Sequence, residues 1–315
     1  MLIYAAVNSN QTSVKTFILL ALSNVFEFQI IFSILFLVIY TITLSINILL
    51  LIAVRSNYKL HTPMYFFLSN LSVIDIGFSS SVVPKILANT LSVDKSISFL
   101  GCATQLFFHL ALGGTECLLL AVMSYDRYIA ICKPLQYSSV MNNQFCLILA
   151  VGCWVTGFGN AVILTFFTFK LSFCRSNHVE HFFCEMPPIL QLSCEDISFS
   201  EIVKYISVVL IAVGSFLLIL LSYMCITLAI LKIRTTNQRL KTFSTCGSHL
   251  AVVLVFYGTV LFMHLRPPYS YFPRQDRVLA MLYTVVIPML NPIIYSIRNK
   301  DIKHSVQKMI KVHLF

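Results

Sequence analysis

Seven long apolar stretches follow one another along the chain, separated by short polar segments. Each stretch is long enough to cross a hydrocarbon core of about 30 Å as an α-helix. Strands of a membrane barrel would be about half as long and would alternate apolar with polar residues. The pattern therefore predicts an all-α membrane protein, a bundle of seven transmembrane helices. The predicted spans are residues 28–54, 64–91, 99–123, 145–169, 205–231, 242–265 and 278–297.

The composition supports a membrane protein, because 58% of the 315 residues are hydrophobic and only 11% are charged. Ordinary soluble domains carry about 25% charged residues. In the last segment, Ile302, Val306, Met309 and Ile310 fall on one helical stripe among lysines, which predicts a short amphipathic helix at the membrane surface after the seventh span. The predicted divisions are an extracellular tail at 1–27, a transmembrane domain at 28–297 and a cytoplasmic tail at 298–315.

The formal net charge of +10 is unevenly distributed between the two sets of loops. The loops after the first, third, fifth and seventh spans are mainly basic, whereas the amino-terminal segment and the other loops mix both signs. Basic loops favour the cytoplasmic side, so we expect a multi-pass plasma-membrane protein with its amino terminus outside. The basic side would also attract anionic membrane lipid. A nucleic-acid partner is not expected, because it would need a basic face on a soluble domain.

Two carboxylic acids lie near the middle of predicted spans, Asp75 in the second and Glu116 in the third. Ionisable residues at that depth are costly and usually face the bundle interior or a watery cavity. Asn47 and Asn291 fall at comparable depth, so we expect a central polar cluster. Two interpretations stay open. The carboxylates hold a structural sodium ion through oxygen ligands, or they are protonated and only join helices. No other cofactor is expected.

Two prolines, Pro288 and Pro292, lie in the seventh predicted span. Each removes a backbone donor, so the helix should kink or loosen there. Asn291 is able to bond a freed carbonyl, and Tyr295 follows one turn later. The sequence therefore predicts a hinge in this span.

Four ordered motifs carry a resemblance to a known family. They are LHTPMYFFLSNLS at 60–72, VMSYDRYIAIC at 122–132, KTFSTCGSHL at 241–250 and PMLNPIIYSIRN at 288–299. Together with seven spans, Asn47, Asp75 and Trp154, they resemble the rhodopsin-like (class A) G-protein-coupled receptors, and within that class the olfactory receptors. The resemblance implies a receptor, not an enzyme, that binds a small volatile odorant and activates a stimulatory heterotrimeric G protein, which raises cAMP.

The resemblance also implies a switch at the inner end of the third span. Asp126 would hold Arg127 in the resting state and release it toward the G protein when the sixth helix moves. A guanidinium at the membrane edge needs a carboxylate or water, so this chemistry suits a switch. The other residues assigned to the switch and to G-protein coupling are Tyr128, Tyr223, Lys241, His249, Asn291, Pro292 and Tyr295.

Four cysteines, Cys102, Cys174, Cys184 and Cys194, fall on the predicted outer side, where oxidation is permitted. Four cysteines allow three connectivities. The family resemblance implies that Cys102 pairs with Cys184 and Cys174 with Cys194, so that the long loop between the fourth and fifth spans is held across the mouth of the bundle. Asn10 begins an Asn-Gln-Thr sequon in the outer tail and is a predicted glycosylation site.

The same resemblance implies an odorant pocket in the outer half of the bundle. His109 precedes Arg127 by eighteen residues, about 27 Å along a helix at about 1.5 Å per residue, so ligand and G protein would act at opposite ends. Lys204 is also at a family pocket position. The predicted ligand-binding residues are His109, Leu110, Gly113, Gly114, Met186, Ser207, Val208, Ile211, Tyr257, Val260, Leu261, His264, Met281 and Thr284.

The pocket chemistry points to a neutral ligand, because no carboxylate stands at the His109 position to bind a cationic amine. We expect a volatile molecule whose hydrogen-bonding oxygen is held by His109 or His264. The alternative is that both histidines only satisfy neighbouring backbone groups. Two other functions stay open: a rhodopsin-like receptor for a non-odorant ligand, and a seven-span channel or transporter that uses Asp75 and Glu116 as an ion path.

Overall fold

The computed structural model describes residues 14–20, 26–174, 176–232, 235–265 and 273–297. Asn10 and the predicted amphipathic helix at 298–315 lie outside these ranges. The side chain of Lys241 is also outside the described part of the chain.

Within the described ranges, helices account for most residues. A π-helical turn at Val208–Val213 joins α7 to α8, and another at Leu282–Val286 joins α10 to α11. The α-helices in chain order are α1 (Phe26–Ser56), α2 (Pro63–Leu91), α3 (Phe99–Cys132), α4 (Tyr137–Val140), α5 (Asn143–Phe169), α6 (Met186–Leu190), α7 (Ser198–Ser207), α8 (Gly214–Leu231), α9 (Thr236–His264), α10 (Pro273–Met281) and α11 (Ile287–Ile297).

Six helical rods are long and apolar enough to cross a membrane: α1, α2, α3, α5, α7 with α8, and α10 with α11. In α9 the apolar part among the described residues is the shorter segment His249–His264, because α9 begins with the polar stretch TNQRLKTFSTCGS. The prediction of an all-helical membrane bundle is confirmed for six spans. The seventh crossing, by α9, stays a prediction.

The surface of these helices is apolar where the bundle does not cover it. Ile34 on α1, Val155 on α5 and Leu218 on α8 are 59%, 66% and 59% exposed. Large apolar side chains on water-facing helices would be costly, whereas hydrocarbon chains accept them. Exposed residues of this kind therefore identify the lipid-facing side of each rod.

The third helix is the central element and is longer than the apolar run that predicted it. Ser98 caps its first turn by accepting a hydrogen bond from the Gly101 N–H at 3.0 Å. The helix continues to Cys132, past the predicted end at 123, because its last turns bury Met123, Asp126 and Ile129 on one face. The Asp-Arg-Tyr triplet is therefore part of the helix.

The contact between α3 and α5 depends on Gly157. A Cβ at this position would lie 2.8 Å from the backbone nitrogen of Thr115 and 2.9 Å from the carbonyl oxygen of Ala111. Real Cβ atoms do not approach backbone this closely, so any other residue would push the two helices apart. The close approach fixes α5 against the middle of α3.

The last rod, α10 with α11, loosens near its prolines, but not in the way the sequence predicted. The π turn Leu282–Val286 ends just before Pro288, which cannot donate the hydrogen bond that the carbonyl of Thr284 would accept in a regular helix. The freed carbonyl of Pro288 accepts a bond from Asn47 Nδ2 at 3.1 Å. The expectation that Asn291 fills this role was wrong, because its amide is engaged by two carboxylates.

A small sheet caps one end of the bundle. Strand β1 (Thr16–Leu19) pairs antiparallel with β2 (Ser96–Ser98) and parallel with β3 (His178–Val179), in the order β2-β1-β3. The all-α prediction missed these strands because two to four residues are too few to show an alternating pattern. We call this the loop end of the bundle, and the opposite end, where Arg127 lies, the arginine end.

Two disulfides hold the loop between α5 and α7 at the loop end. Cys102 on α3 is bonded to Cys184, with Cα atoms 5.5 Å apart, and Cys174 is bonded to Cys194, with Cα atoms 5.7 Å apart. These are the two pairs that the family resemblance implied. They anchor the loop across the mouth of the helical bundle.

Candidate functional site

A cavity of about 100 Å³ lies between α3, α5, α7 with the π turn that follows it, and α9, below the loop end. Helix α3 supplies His109 and two glycines, Gly113 and Gly114, whose missing side chains leave the space open. The loop supplies Met186, the first residue of α6, which directly follows Cys184 and Glu185. An engineered apolar cavity of about 150 Å³ binds benzene, so this volume suits a small molecule.

Ten of the fourteen predicted ligand-binding residues line this cavity, and so does Lys204. The ten are His109, Leu110, Gly113, Gly114, Met186, Ser207, Val208, Ile211, Val260 and His264. Helices α3, α6, α7 and α9 and the π turn Val208–Val213 contribute them, at positions that the family resemblance implied. The structure therefore brings together residues that are up to 155 positions apart in the chain.

Four predicted residues do not line the cavity. Tyr257 is directed between helices, where its hydroxyl lies 2.7 Å from Ser215 Oγ and donates to the Cys117 carbonyl at 2.9 Å. Thr284 donates to the carbonyl of Ala280 inside its own helix. Leu261 and Met281 pack against the main apolar core instead.

Neighbouring residues line the cavity in place of these four. In α9 the cavity face is formed by Phe256, Val260 and His264, each four positions apart. In the last rod Tyr283 lines the cavity instead of Thr284. The π turn holds about one more residue than an α-helical turn, so the residue that faces the cavity is shifted by about one position in the sequence. The other cavity residues that sequence reasoning missed are Phe78, Cys117, Asn160, Leu164, Pro187 and Ala212. Most are apolar and carry no distinguishing sequence signal.

A hydrogen-bonded chain connects the cavity to the loop. The Tyr283 hydroxyl donates a hydrogen bond to Glu185 Oε1 at 3.1 Å, and the hydroxyl oxygen of Tyr283 also lies 3.1 Å from His109 Nε2. Because the phenol proton is used on Glu185, His109 must donate from Nε2, which leaves Nδ1 as an acceptor. That Nδ1 is buried and has no hydrogen-bond partner in the described ranges.

The loop end of this chain carries a buried acid and a buried imidazole. Glu185 Oε2 lies 3.4 Å from His181 Nε2, and the two side chains are 4% and 0% exposed. Burial is the main cause that raises the pKa of Glu185 to about 7, and Asp276 adds to the rise. Burial also lowers the pKa of His181 to about 3. The distance suits an ion pair, but loss of hydration outweighs attraction, so the neutral forms are favoured near pH 6.

A second polar cluster lies deeper in the bundle. Asn291 Nδ2 donates to Asp75 Oδ1 at 2.9 Å and to Glu116 Oε1 at 3.3 Å. Asp75 Oδ2 and Asn291 Oδ1 are buried and have no partner in the described ranges. The central cluster expected from the sequence is therefore present for these three residues, while Asn47 bonds the neighbouring backbone of Pro288.

The arginine end brings the switch residues together. Arg127 Nη2 lies 3.5 Å from Asp126 Oδ2, and the other Asp126 oxygen accepts a hydrogen bond from the Tyr137 hydroxyl at 2.8 Å. Tyr137 on α4 was not predicted, because a tyrosine in a short connection has no distinguishing pattern. Tyr128 lies beside this pair, with Lys133 Nζ 5.8 Å from its ring centroid.

On the facing helices, Tyr223 and His249 form their own contact. The Tyr223 hydroxyl lies 2.8 Å from His249 Nδ1, and the two rings are stacked with centroids 5.8 Å apart. The Tyr295 ring is 6.4 Å from that of His249, and its buried hydroxyl has no hydrogen-bond partner among the described residues. Pro292 lies one turn before Tyr295, inside α11.

These features define a multi-pass helical membrane protein with a mostly apolar cavity and a charged cluster at opposite ends of one helix. Comparison with known sequences identifies the family. The olfactory receptor family model matches residues 36–313. Olfactory receptor 5AP2 of Mus musculus is 51% identical over 303 residues, which cover 96% of each chain. Olfactory receptor 5B12 of Homo sapiens is 50% identical over 301 residues, again 96% of each chain. The chain belongs to the olfactory receptor family.

Proposed function

We propose that this protein is an odorant receptor that binds a small volatile ligand in the cavity and activates a stimulatory heterotrimeric G protein, so that cAMP rises. The observation that carries the proposal is the position of the cavity and the Asp126–Arg127 pair on one uninterrupted helix, α3. The wall of the cavity is mostly apolar with a few polar groups, as small-molecule sites generally are. The ligand would present a hydrogen-bonding oxygen to His109 or His264.

The switch would operate at the arginine end. In the state described here, Asp126 is held by both Arg127 and Tyr137. Ligand binding would shift the population toward a state in which Arg127 leaves Asp126 and faces the G protein. Tyr223 and Tyr295 would then approach the guanidinium. The orphaned Tyr295 hydroxyl supports this role, since a buried group without a partner is ready to gain one. Lys241 and His249 would line the moving helix.

We propose that α9 crosses the membrane as the seventh span, with residues 1–27 outside and the arginine end in the cytoplasm. The disulfides support this orientation, because disulfides persist in oxidising compartments and β1 of the amino-terminal segment pairs with strands at the same end. In this orientation Asn10 would be available for glycosylation. The cytoplasmic tail would lie as an amphipathic helix on anionic lipid.

The central cluster is a candidate sodium site. Asp75 and Glu116 converge on Asn291, and two of their buried oxygens lack partners. Oxygen ligands of this kind suit a hard cation. Ion binding there would stabilise one arrangement of α2, α3 and α11.

The proposal is tested by measuring cAMP in cells that express the full chain while a chemically diverse odorant panel is applied. We expect at least one volatile to raise cAMP, and Arg127→Gln to abolish that response while surface expression is kept. Arg55→Gln is the matched control, because Arg55 is exposed at the end of α1. A response that survives Arg127→Gln would contradict the proposed switch. Ligand-evoked current without G protein would favour a channel instead.

A further inference from the structure

Lys204 is a buried cation in the wall of the cavity. Its side chain is 8% exposed, and its Nζ lies 4.4 Å from the centroid of the Tyr205 ring. Buried charges in proteins are normally paired or neutralised. Two ion pairs closer than 4.0 Å lie within the described ranges, Asp126–Arg127 and His181–Glu185, and neither includes Lys204. Lys204 therefore has no carboxylate in contact there.

The acids nearest to Lys204 do not supply the missing contact. Glu185 and Glu201 act on it only through longer-range electrostatics. One oxygen of Glu185 accepts a hydrogen bond from Tyr283, and the other lies 3.4 Å from His181 Nε2. The aromatic face of Tyr205 offsets part of the burial cost, but it accepts no hydrogen bond of the strength that a carboxylate accepts from an ammonium.

The cavity around Lys204 is rich in groups that can donate hydrogen bonds. Ser207 lies three positions after Lys204, on the same face of α7. His264 on α9 lies close enough for the charge of Lys204 to act on it. Among the described residues that line the cavity, none is Asp or Glu. Lys204 is therefore a positive charge at the α7–α9 side of the cavity, and no carboxylate among the described wall residues neutralises it.

We propose that the cavity recognises a carboxylate, the ionised form of a short aliphatic acid. Its charged group pairs with Lys204 Nζ and accepts a hydrogen bond from Ser207, while its hydrocarbon chain packs on Val208, Ile211 and Val260. This inference rests on the proposed function, because it names the ligand class of that same site. An alcohol or ester of equal length fills the same apolar wall but leaves the ammonium unpaired.

The test compares carboxylates with uncharged molecules of the same chain length. Butanoate to octanoate and the corresponding 1-alkanols are added at pH 7.4 to the purified full-length receptor in lipid nanodiscs, and its thermal stability is measured. The same compounds are applied to expressing cells with cAMP as the readout. We expect at least one carboxylate to act at concentrations about ten- to a hundredfold lower than its alcohol. The preference should disappear in Lys204→Met and persist in Lys204→Arg.

Lys170→Met is the matched control. Lys170 also lies at the loop end, with its Nζ 5.9 Å from the centroid of the Phe166 ring, but it is exposed and outside the cavity. Its replacement should leave the carboxylate preference unchanged. If Lys204→Met does not fold, Lys204→Gln provides a second uncharged side chain. The comparison of acids with alcohols on the unmodified receptor needs no variant at all.

The outcomes separate the two proposals. Carboxylates that bind no better than alcohols, or a preference that survives loss of the Lys204 charge, would overturn the inference. If neutral volatiles raise cAMP while carboxylates do not bind, the ligand class is wrong and the receptor function stands. If carboxylates stabilise the receptor through Lys204 but no compound raises cAMP, the ligand class stands and the proposed signalling fails.

Discussion

The loop end and the arginine end of α3 hold their polar groups in different ways. At the loop end, a three-stranded sheet, two disulfides and the chain from His109 through Tyr283 to Glu185 tie the loop to the helices. At the arginine end, Arg127 and Asp126 are 3.5 Å apart, and the Tyr295 hydroxyl and His249 Nε2 lack hydrogen-bond partners in the described ranges.

The difference shows where the bundle can rearrange at low cost. Two covalent crosslinks and a hydrogen-bonded sheet must be broken before the loop end can change shape, although His109 Nδ1 also lacks a partner there among the described residues. Incompletely paired groups can instead gain contacts when the helices move, so their present arrangement is only weakly preferred. Under the proposed function, the cavity would keep its shape while the arginine end changes between states.

The largest loss of stability at either end should follow from removing the disulfide that joins α3 to the loop. Cys102→Ser should destabilise the receptor by about 2–5 kcal/mol, because the loop is no longer attached to the helix. The measurement is surface expression together with the melting temperature of purified protein. Cys225→Ser is the control, since Cys225 is an exposed free cysteine on α8. Equal effects of the two substitutions would show that the loop end does not depend on its crosslink.

An intermediate effect is expected from Tyr283→Phe. The substitution leaves His109 Nε2 and Glu185 Oε1 buried without their common partner, which should cost about 1–3 kcal/mol of stability and weaken ligand binding. Melting temperature and the concentration for half-maximal response are the measurements.

The matched substitution at the arginine end is Tyr137→Phe. Tyr137 is half-buried and donates one hydrogen bond to Asp126. Its loss should change the melting temperature less than Tyr283→Phe does, but should raise ligand-independent cAMP because Asp126 is held less firmly. If Tyr137→Phe were the more destabilising of the two, the contrast between the ends would be wrong.

The smallest effect should be the net pH dependence that comes from Glu185 and His181 together. The pKa of Glu185 is raised to about 7, so its contribution is present below its unfolded value of 4.5 and is lost as pH rises to 7. The pKa of His181 is lowered to about 3, so its contribution is present above 6.5 and is lost as pH falls to 3. Between pH 4.5 and 6.5 these two contributions to stability oppose each other and largely cancel.

Glu185→Gln separates these opposing effects, because glutamine keeps the acceptor for Tyr283 and does not titrate. Between pH 4.5 and 6.5 the variant should gain stability with rising pH more steeply than the unmodified receptor does. Melting temperature against pH is the measurement, and Glu195→Gln is the control on the same loop. Parallel curves for Glu185→Gln and the unmodified receptor would rule out titration of this buried acid.

The apolar pattern was sufficient to predict six of the rods. The cavity residues required the family resemblance; helix geometry alone relates only His109 and Gly113, which are four positions apart on one face of α3. The disulfide pairs required the family resemblance, since the cysteine positions alone allowed three connectivities. The short strands depended on contacts between segments that are distant in the chain, which local patterns do not encode.

The errors in the site have a specific physical cause. Thr284 was chosen where Tyr283 lines the cavity, because the π turn at Leu282–Val286 cannot be recognised from periodicity. Asn291 was assigned to a freed carbonyl that Asn47 occupies, because partner choice depends on how α1 and α11 meet. Tyr137 was missed because its importance arises only from its contact with Asp126.

The π turn between α7 and α8 has a consequence for how this receptor family can diversify. An additional residue in one turn rotates everything before it by about 100° around the helix axis. The direction of Lys204 and Ser207 is therefore set at Val208–Val213 and is uncoupled from the way α8 packs on α3. Under the proposed function, substitutions or a single deletion in that turn would change which odorants bind, while α8 in the same rod keeps its packing on α3.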